Sequence, residues 1–346
     1  VCQFRHFGTA SSLKPGHYYF IFFISKVKSA DICGIMEIIE GIDRITRPFQ
    51  NAVVTLGNFD GVHIGHQKIF QRVREEARRL KGQGVVITFN PHPLKVLAPD
   101  RCPPLLTPFR KKMILFEQSG VEQVLSILFS KSFSEIPPDV FIHAILLEKV
   151  GARKVIVGYN YHFGKGKGGD VKTLQTLCRR REVDVEVVEA LTVDGTAVSS
   201  SKVRALIQEG HVEKASRLLG RDYPVIGKVI PGAGRGQILG FPTANLEMSE
   251  ELYPKTGVYA VEVLWKGKAF PGVANIGFNP TFAPKGERKE AVSLEVHLLD
   301  FDGNLYGEEI WVSFKKRIRD EERFHSPSRL VEQIRNDVRW AREALF

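Results

Sequence analysis

The segment 57–66 reads Gly-Asn-Phe-Asp-Gly-Val-His-Ile-Gly-His and combines glycines with two histidines three positions apart. The glycines allow tight turns and a close approach of the backbone to a ligand. A helix starting here would present free N–H groups and the positive end of its dipole to a phosphate. His63 and His66 would project to the same side and donate hydrogen bonds to phosphate oxygens. The spacing therefore predicts stabilisation of charge on an α-phosphate, as in nucleotidyl transfer.

The alternatives for a His-x-x-His pair are an incidental occurrence and a pair of metal ligands, as in a zinc hydrolase. Such a site needs a third protein ligand and a general base on the helix, as in His-Glu-x-x-His. Ile64 and Gly65 stand between the histidines here, so that glutamate is absent. The pattern therefore favours phosphate over zinc.

Three further polar segments follow predicted strands. Residues 89–93 read Phe-Asn-Pro-His-Pro, residues 158–164 read Gly-Tyr-Asn-Tyr-His-Phe-Gly, and residues 199–204 read Ser-Ser-Ser-Lys-Val-Arg. Aromatic and amide groups near glycines suit a flat heteroaromatic ligand, and serines with an arginine at a helix start suit phosphate. The structural alternatives are a turn, a surface loop and a simple helix cap.

A second candidate site begins with a glycine-dense loop, residues 232–240, and continues through Phe-Pro-Thr-Ala-Asn to residue 245. The loop lacks the Lys-Ser/Thr end of a Walker A motif, and Pro242 stands where a Rossmann helix would continue. Glycine-rich backbone can surround phosphates, although a plain loop has the same composition. Thr243 and Asn245 alternate along an extended segment, so two oxygen ligands for magnesium would lie on one side.

Glu295 is the candidate base of this second site. It lies within a predicted strand between Leu294 and Val296, so its side chain points away from theirs. A carboxylate facing the mouth of a barrel could take a proton from a substrate hydroxyl that attacks a γ-phosphate. The alternative is an ordinary solvent-facing glutamate.

Two kinds of secondary structure must position these residues. Up to about residue 220, β-branched runs alternate with helical patterns, which is typical of a doubly wound α/β domain with a parallel sheet. Its ligand is expected beyond the carboxyl ends of the strands. After residue 220, closely spaced alternating runs predict a small antiparallel β-barrel, followed by a C-terminal helix that starts at Pro327. The predicted strands are 53–56, 85–89, 124–128, 155–157, 183–188, 223–230, 257–264, 269–274, 292–299 and 310–314.

The bulk composition agrees with two globular domains. The chain has 346 residues, of which 43% are hydrophobic and 25% charged, with a formal net charge of +10. A basic protein attracts anionic partners, which include nucleic acid, anionic membranes and phosphorylated small molecules. Four cysteines without a Cys-x-x-Cys pair indicate reduced thiols and a cytoplasmic location. No apolar run reaches the roughly 18 residues of a membrane span.

The sequence divides into an N-terminal extension (residues 1–35), a first domain (36–220) and a second domain (221–346). The extension holds an apolar run, residues 18–24, that lacks the small-residue cleavage site of a signal peptide. A coherent strand pattern begins only at Met36, a possible natural start. We therefore expect residues 1–35 to lie outside the folded enzyme.

With these motifs in view, the chain resembles the bacterial bifunctional riboflavin kinase/FAD synthetase family over residues 36–346. The first domain carries GNFDGVHIGH, FNPHP, GYNYHFG and SSSKVR in the order of the family's adenylyltransferase module, with Ser201 where the family usually has threonine. The second carries GRGQILGFPTANL, GVYAV, ANIGFNPTF, LEVHLLDFDGNLYGE and RIRDEERF, as in the riboflavin kinase module.

The resemblance implies a role for each candidate residue. The catalytic residues would be His63, His66 and Glu295, and the metal ligands Thr243 and Asn245. The flavin contacts would be Asn90, His92, Tyr159, Asn160 and Arg319. The nucleotide contacts would be Gly57, Asn58, Phe59, Asp60, Gly65, Ser199, Ser200, Ser201, Arg204, Gly234, Gly236, Gly240, Pro242 and Asn275.

The resemblance also implies two ATP- and magnesium-dependent steps, in which riboflavin is phosphorylated to FMN and FMN is adenylylated to FAD. Riboflavin, FMN and ATP would be the partners, with neither nucleic acid nor membrane. One alternative is a nucleotidylyltransferase with another acceptor, such as phosphopantetheine, which leaves the second half unexplained. Another is a basic nucleic-acid-binding protein with inactive sites, which the intact motifs oppose. The oligomeric state stays open, a weak homo-oligomer included.

Overall fold

A computed structural model of the chain describes residues 17–19, 36–279 and 291–345. The strands of the first half are β1 His17–Tyr19, β2 Glu37–Glu40, β3 Ala52–Leu56, β4 Gly84–Asn90, β5 Gln123–Leu128, β6 Ala152–Gly158, β7 His162–Phe163, β8 Gly169–Asp170, β9 Asp184–Val188, β10 Thr192–Val193 and β11 Thr196–Ala197. Seven of them form one sheet in the order β1-β2-β5-β4-β3-β6-β9. All neighbours from β2 to β9 are parallel, as the sequence predicts, and β7–β8 and β10–β11 are separate two-stranded hairpins.

Helices connect these strands. They are α1 Ile64–Arg79, α2 Pro93–Leu97, α3 Phe109–Gln118, α4 Lys131–Ser134, α5 Pro138–Val140, α6 Val171–Arg179, α7 Ser200–Gln208 and α8 Val212–Leu219. A π-helical stretch spans Phe141–Lys149, and single 3-10 turns span Ile42–Arg44, Pro99–Arg101 and Lys165–Lys167.

Both faces of the sheet are covered, which is why its strands are apolar at nearly every position. Val54 and Leu56 pack on one face with Phe141 and neighbouring residues of the π-helical stretch. Val53, on the other face, packs against Ile69 and other residues of α1. The prediction of a doubly wound α/β domain is confirmed.

The N-terminal extension has one described element. His17–Tyr19 pairs antiparallel with β2 at the edge of the sheet. The other residues of the segment 1–35 lie outside the described part of the chain. The expectation that the segment stands apart from the enzyme therefore stays a prediction, although β1 adds a strand to the sheet.

The second half forms the predicted antiparallel barrel. Its strands are β12 Tyr223–Ile230, β13 Ala244–Leu246, β14 Gly257–Trp265, β15 Lys268–Asn279, β16 Ala291–Leu298 and β17 Glu309–Arg319. They close in the order β12-β13-β16-β15-β14-β17. Lys266 and Gly267, both with positive φ (46° and 76°), make the two-residue turn between β14 and β15. Sequence analysis missed β13, which has only three residues.

Two helices complete this half: α9 Arg235–Ile238 in the glycine-dense loop and α10 Pro327–Leu345 at the C-terminus. The Ser326 hydroxyl accepts a hydrogen bond from the Arg329 N–H (3.4 Å), so the predicted cap is present. Ala341 and Val338 of α10 pack on Val258 and Ala260, on the outer face of the barrel. None of the helices in the described ranges is long and apolar enough to cross a membrane.

The two halves share a buried interface. Residues of α7 and α8 belong to the same apolar cluster as the barrel interior. At its edge, Lys111 of α3 forms an ion pair of 2.7 Å with Glu251, and both side chains are almost fully buried. The Tyr223 hydroxyl donates a hydrogen bond to the Leu252 carbonyl (2.7 Å), and the Lys111 ammonium lies 4.4 Å from the centre of the Tyr223 ring. The start of the barrel is therefore fixed against the first domain.

Candidate active sites

The two histidines of segment 57–66 lie together at the start of α1. His63 caps the helix, because its Nδ1 accepts a hydrogen bond from the His66 N–H (3.3 Å). The two rings stack with their centres 3.5 Å apart and their planes 20° apart. A Cβ atom at Gly65 would lie 3.2 Å from the His63 ring, so glycine keeps room for the stack. The predicted placement of both imidazoles on one side of a helix start is confirmed.

Burial keeps these imidazoles neutral. His63 is 6% exposed, and burial lowers its pKa from 6.5 to about 4, with the charge of Arg221 acting in the same direction. Burial also lowers the pKa of His66 well below 6.5, helped by His63 and Arg221. The His66 Nδ1 is buried without a hydrogen-bond partner in the described structure. At neutral pH each ring can therefore donate one N–H to a ligand.

The low pKa of His63 predicts a pH-dependent loss of stability. Its folded pKa of about 4 lies below the unfolded value of 6.5, so protons favour the unfolded chain as the pH falls through this range. We expect this residue to lower the free energy of unfolding by about 3 kcal/mol between pH 6.5 and pH 4. Urea unfolding of wild type and His63→Gln across this range measures it. Parallel pH curves for the two proteins would contradict the prediction.

Asp60 anchors the histidine segment rather than facing solvent. Its Oδ1 accepts hydrogen bonds from the Thr107 N–H (2.9 Å) and hydroxyl (3.0 Å). Its Oδ2 accepts from the Leu106 N–H (3.2 Å) and from Nη2 of Arg204 (2.7 Å). Both carboxylate oxygens are engaged within the chain. A direct contact of Asp60 with nucleotide or magnesium stays a prediction, and the structure gives this residue a positioning role.

The serine segment also reaches the histidine segment. Ser199 caps α7 by accepting from the Lys202 N–H (3.2 Å), and the Ser200 hydroxyl donates to the Asp60 carbonyl (2.8 Å). Ser201 is exposed on the first turn of α7. Arg204 joins this assembly through Asp60. The simple capping interpretation holds for Ser199, and Ser201 has the most accessible hydroxyl of the three for a phosphate.

Phe59 and Asn58 have structural contacts of their own. The Phe59 ring is buried, 4.9 Å from the centre of Phe70, and its edge meets His66 at 5.2 Å. The Asn58 carbonyl accepts a hydrogen bond from the Lys112 ammonium (3.2 Å). A Cβ atom at Gly57 would lie 3.0 Å from the Phe59 ring, so this glycine admits the aromatic side chain. The ring of Phe59 therefore packs beneath the loop, and a contact of Phe59 with a nucleotide stays a prediction.

Lys112 is a candidate that sequence analysis missed. Its ammonium is buried between the Asn58 carbonyl and the Thr88 hydroxyl (3.1 Å), at the ends of β3 and β4. Burial lowers its pKa from 10.5 to about 8. The available signal was its position at the edge of the apolar run 113–116 of α3, directly after Arg110 and Lys111. Sequence analysis did not single it out, because lysine side chains are usually exposed to solvent.

Four of the five predicted flavin residues belong to the first domain, and they separate in space. Asn90 lines a cavity of about 700 Å³ beyond the carboxyl ends of β2, β4 and β5, together with Ser126, Leu128 and Phe133. The other three do not line this cavity. His92 caps α2 by accepting from the Leu94 N–H (3.2 Å), and Tyr159 and Asn160 are exposed just beyond β6, whose carboxyl end lies on the same edge of the sheet.

A second cavity, of about 450 Å³, lies on the outer face of the barrel beneath α10. Its lining includes the predicted residues Gly236, Thr243, Asn275, Glu295 and Arg319, together with Leu330 and Ile334 of α10. Leu294 and Val296 point into the barrel core, so Glu295 points outwards, as the alternation predicts. The Thr243 hydroxyl lies 3.5 Å from Oε2 of Glu295. Sequence analysis expected Glu295 to face the mouth of the barrel, whereas the structure places it on the outer face.

Asn245 lies opposite Glu295 in the β13–β16 ladder and is 9% exposed. A Cβ atom at Gly232 would fall 2.1 Å from Nδ2 of Asn245, so the glycine leaves space around that amide. Gly234 and Gly240 have positive φ angles of 70° and 84°. The glycine loop can thus fold over this part of the barrel.

The remaining predicted residues of the second site have protein partners. The Pro242 carbonyl accepts a hydrogen bond from Nδ1 of His297 (2.8 Å), and the Asn275 side chain is hydrogen-bonded to Glu321. Arg319 holds the buried Asp337 of α10 through Nε (2.9 Å) and Nη2 (2.8 Å). Arg319 therefore fastens α10 over the cavity, and its contact with a flavin stays a prediction.

Comparison with known proteins agrees with this division into two sites. Residues 46–202 match the model of the FAD synthetase family, and residues 219–345 match the riboflavin kinase family. The Escherichia coli K12 bifunctional riboflavin kinase/FMN adenylyltransferase is 38% identical over 310 residues, which cover 89% of this chain and 97% of that protein. The Bacillus subtilis protein of the same name is 38% identical over 288 residues, covering 83% and 90%.

A crystal structure from Streptococcus pneumoniae, named a macrolide-efflux protein, has the same architecture. It superposes with a TM-score of 0.79 at 31% identity and covers 88% of this chain and 98% of that one. The matches extend through both halves in the same order. The chain therefore belongs to the bifunctional riboflavin kinase/FMN adenylyltransferase family.

Proposed function

We propose that the cavity on the barrel phosphorylates the ribityl 5′-hydroxyl of riboflavin, and that the histidine segment then transfers AMP from a second ATP to FMN. The products are FMN, then FAD and pyrophosphate. The observation that carries the assignment is the stacked pair His63 and His66 at the start of α1, on a segment that Lys112 and Arg204 contact through Asn58 and Asp60. Family membership supports both activities.

In adenylyl transfer, charge accumulates on the α-phosphate as FMN attacks. His63 and His66 each have one N–H to donate, and the N-terminus of α1 adds its own N–H groups and dipole. These donors are already oriented, because the His63 cap and the ring stack fix both side chains. Arg204 and Lys112 supply positive charge nearby. We assign catalysis to the two imidazoles and nucleotide positioning to the segments around them.

We assign the cavity lined by Asn90 to the flavin part of FMN. Its volume of about 700 Å³ is in the range of small-molecule sites, and it lies at the carboxyl edge of the parallel sheet, where ligands of such folds bind. Phe133, Leu128 and Ile127 offer apolar surface to a ring system, and Asn90 and Ser126 offer hydrogen bonds. His92, Tyr159 and Asn160 would act at the rim of this edge.

In the kinase step, Glu295 accepts the proton of the 5′-hydroxyl as that oxygen attacks the γ-phosphate. Thr243 and Asn245 would hold magnesium, since their side-chain oxygens suit a hard cation. Thr243 lies just before β13, within 3.5 Å of Glu295, and Asn245 lies opposite Glu295 on β13. Bound magnesium would neutralise charge on the ATP phosphates.

The remaining expectations concern partners and location. The net charge of +10 suits anionic nucleotides as well as it suits nucleic acid, and the two assigned sites account for it without nucleic acid. Cys102 and Cys178 are free thiols, which supports a cytoplasmic location.

A product assay tests the proposal. The full chain is incubated with riboflavin, ATP and magnesium, and the flavins are separated over time. We expect FMN first and FAD later, and neither product when EDTA replaces magnesium. A reaction that yields neither FMN nor FAD would refute the proposal, and FAD formation from added FMN without any kinase activity would refute its first half.

A further inference from the structure

The linker between α8 and β12 holds one arginine, Arg221, against the histidine segment. Nη1 of Arg221 donates to the Val62 carbonyl (2.8 Å), and Nη2 donates to the Gly61 carbonyl (2.6 Å). Nη1 also contacts the Leu219 carbonyl (3.2 Å). These bonds tie the linker to the two residues that come directly before His63.

Two neighbouring contacts make the same connection. The Gln67 amide donates to both the Val62 carbonyl (2.9 Å) and the Leu219 carbonyl (2.8 Å). Gly220 has a φ of 70°, and a Cβ atom there would lie 2.8 Å from Cγ2 of Ile64. The linker is therefore in van der Waals contact with the first turn of α1.

The histidine segment needs such support. Val62 has a φ of 42°, a strained value for a β-branched residue that must be stabilised by its surroundings. Arg221 is partly buried, its Nε is buried without a hydrogen-bond partner in the described structure, and the carbonyls it contacts carry no formal charge. Its guanidinium pKa is lowered by that burial to about 10. A partly buried cation whose described hydrogen bonds go only to carbonyls is costly, so its placement here is a specific feature of the site.

We propose that Arg221 is a positioning residue for adenylyl transfer, which holds the Gly61 and Val62 carbonyls so that His63 and His66 stack at the start of α1. The inference rests on the proposed role of these histidines. It extends the adenylyltransferase unit through the linker, beyond residue 202, where the FAD synthetase match ends. The predicted boundary between residues 220 and 221 would therefore assign Arg221 to the second domain, although Arg221 supports the histidine site of the first.

The test uses the full chain, in which kinase activity reports whether the protein is folded. Arg221→Met should lower kcat for FAD formation from FMN about 10²-fold, because small displacements of catalytic groups have effects of that size. KM for ATP should change less than about 3-fold. Arg221→Lys, which keeps the charge but not the planar fork, should lose about 10-fold. Arg217→Met is the matched control, because Arg217 is exposed and forms its ion pair with Asp194, also exposed.

Three outcomes would overturn the proposal. One is an Arg221→Met protein with normal kcat for FAD formation. Another is a parallel loss of kinase and adenylyltransferase activity with a lower melting temperature, which indicates a general structural role. If Arg221→Met does not fold, full activity of Arg221→Lys would also overturn it. Retention of FAD synthesis by His66→Ala would instead overturn the proposed function of the histidines.

Discussion

Replacing His66 with alanine is expected to lower FAD formation about 10³-fold while FMN accumulates. Removal of one preorganised donor from a transition-state charge typically costs about 10²–10³ in rate. His66 also supports His63 through the ring stack, so the upper end of that range applies. The cavity on the barrel shares none of its lining with the histidine segment, and riboflavin phosphorylation should continue.

The measurement is a time course from riboflavin and ATP, with each flavin quantified separately. Gln71→Ala, an exposed change on the same helix, serves as the control and should form both products at wild-type rates. A second comparison uses His63→Ala and the double variant. Because the two rings act as a unit, the double variant should lose little more than either single one. An FAD rate within a few-fold of wild type in His66→Ala, or loss of FMN as well, would contradict the prediction.

The helix start and its histidine pair could be predicted because they depend on local sequence. Glycines, an N-cap and a three-residue spacing act within one turn of helix. The positioning residues could not be predicted, since they come from distant parts of the chain. Asp60 meets Thr107, and Arg221 meets Gly61, across 47 and 160 positions respectively. Only the fold brings such groups together.

In the second site, too, local sequence predicted the orientation of a side chain but not its distant neighbours. The two-residue alternation of a strand was enough to turn Glu295 away from Leu294 and Val296. It could not indicate that α10 covers that outer face, because a stripe of apolar residues on a helix does not specify its partner. Arg319 illustrates the difficulty, since its guanidinium binds Asp337 of α10, a partner that the sequence motif did not indicate.

Glu295→Gln is expected to lower FMN formation about 10³-fold and to leave the conversion of added FMN to FAD unchanged. General base catalysis contributes about 10²–10⁴-fold, and glutamine keeps the size of the side chain but cannot accept the proton. The loss should appear in kcat, with KM for riboflavin nearly constant, because the proton moves only in the transition state. Purified variant is assayed with riboflavin and, separately, with FMN. Glu262→Gln, on the barrel surface, is the matched control.

The comparison with Thr243 distinguishes a base from a residue that only positions its neighbour. If Glu295 acted solely by holding the Thr243 hydroxyl 3.5 Å away, Glu295→Gln would retain that contact and most of the activity. Thr243→Ala should then be the more damaging change. If Glu295 is the base, Glu295→Gln should lose kcat, whereas Thr243→Ala should mainly raise KM for ATP and the magnesium requirement. Normal phosphorylation of riboflavin by Glu295→Gln would assign proton removal to another group in the cavity.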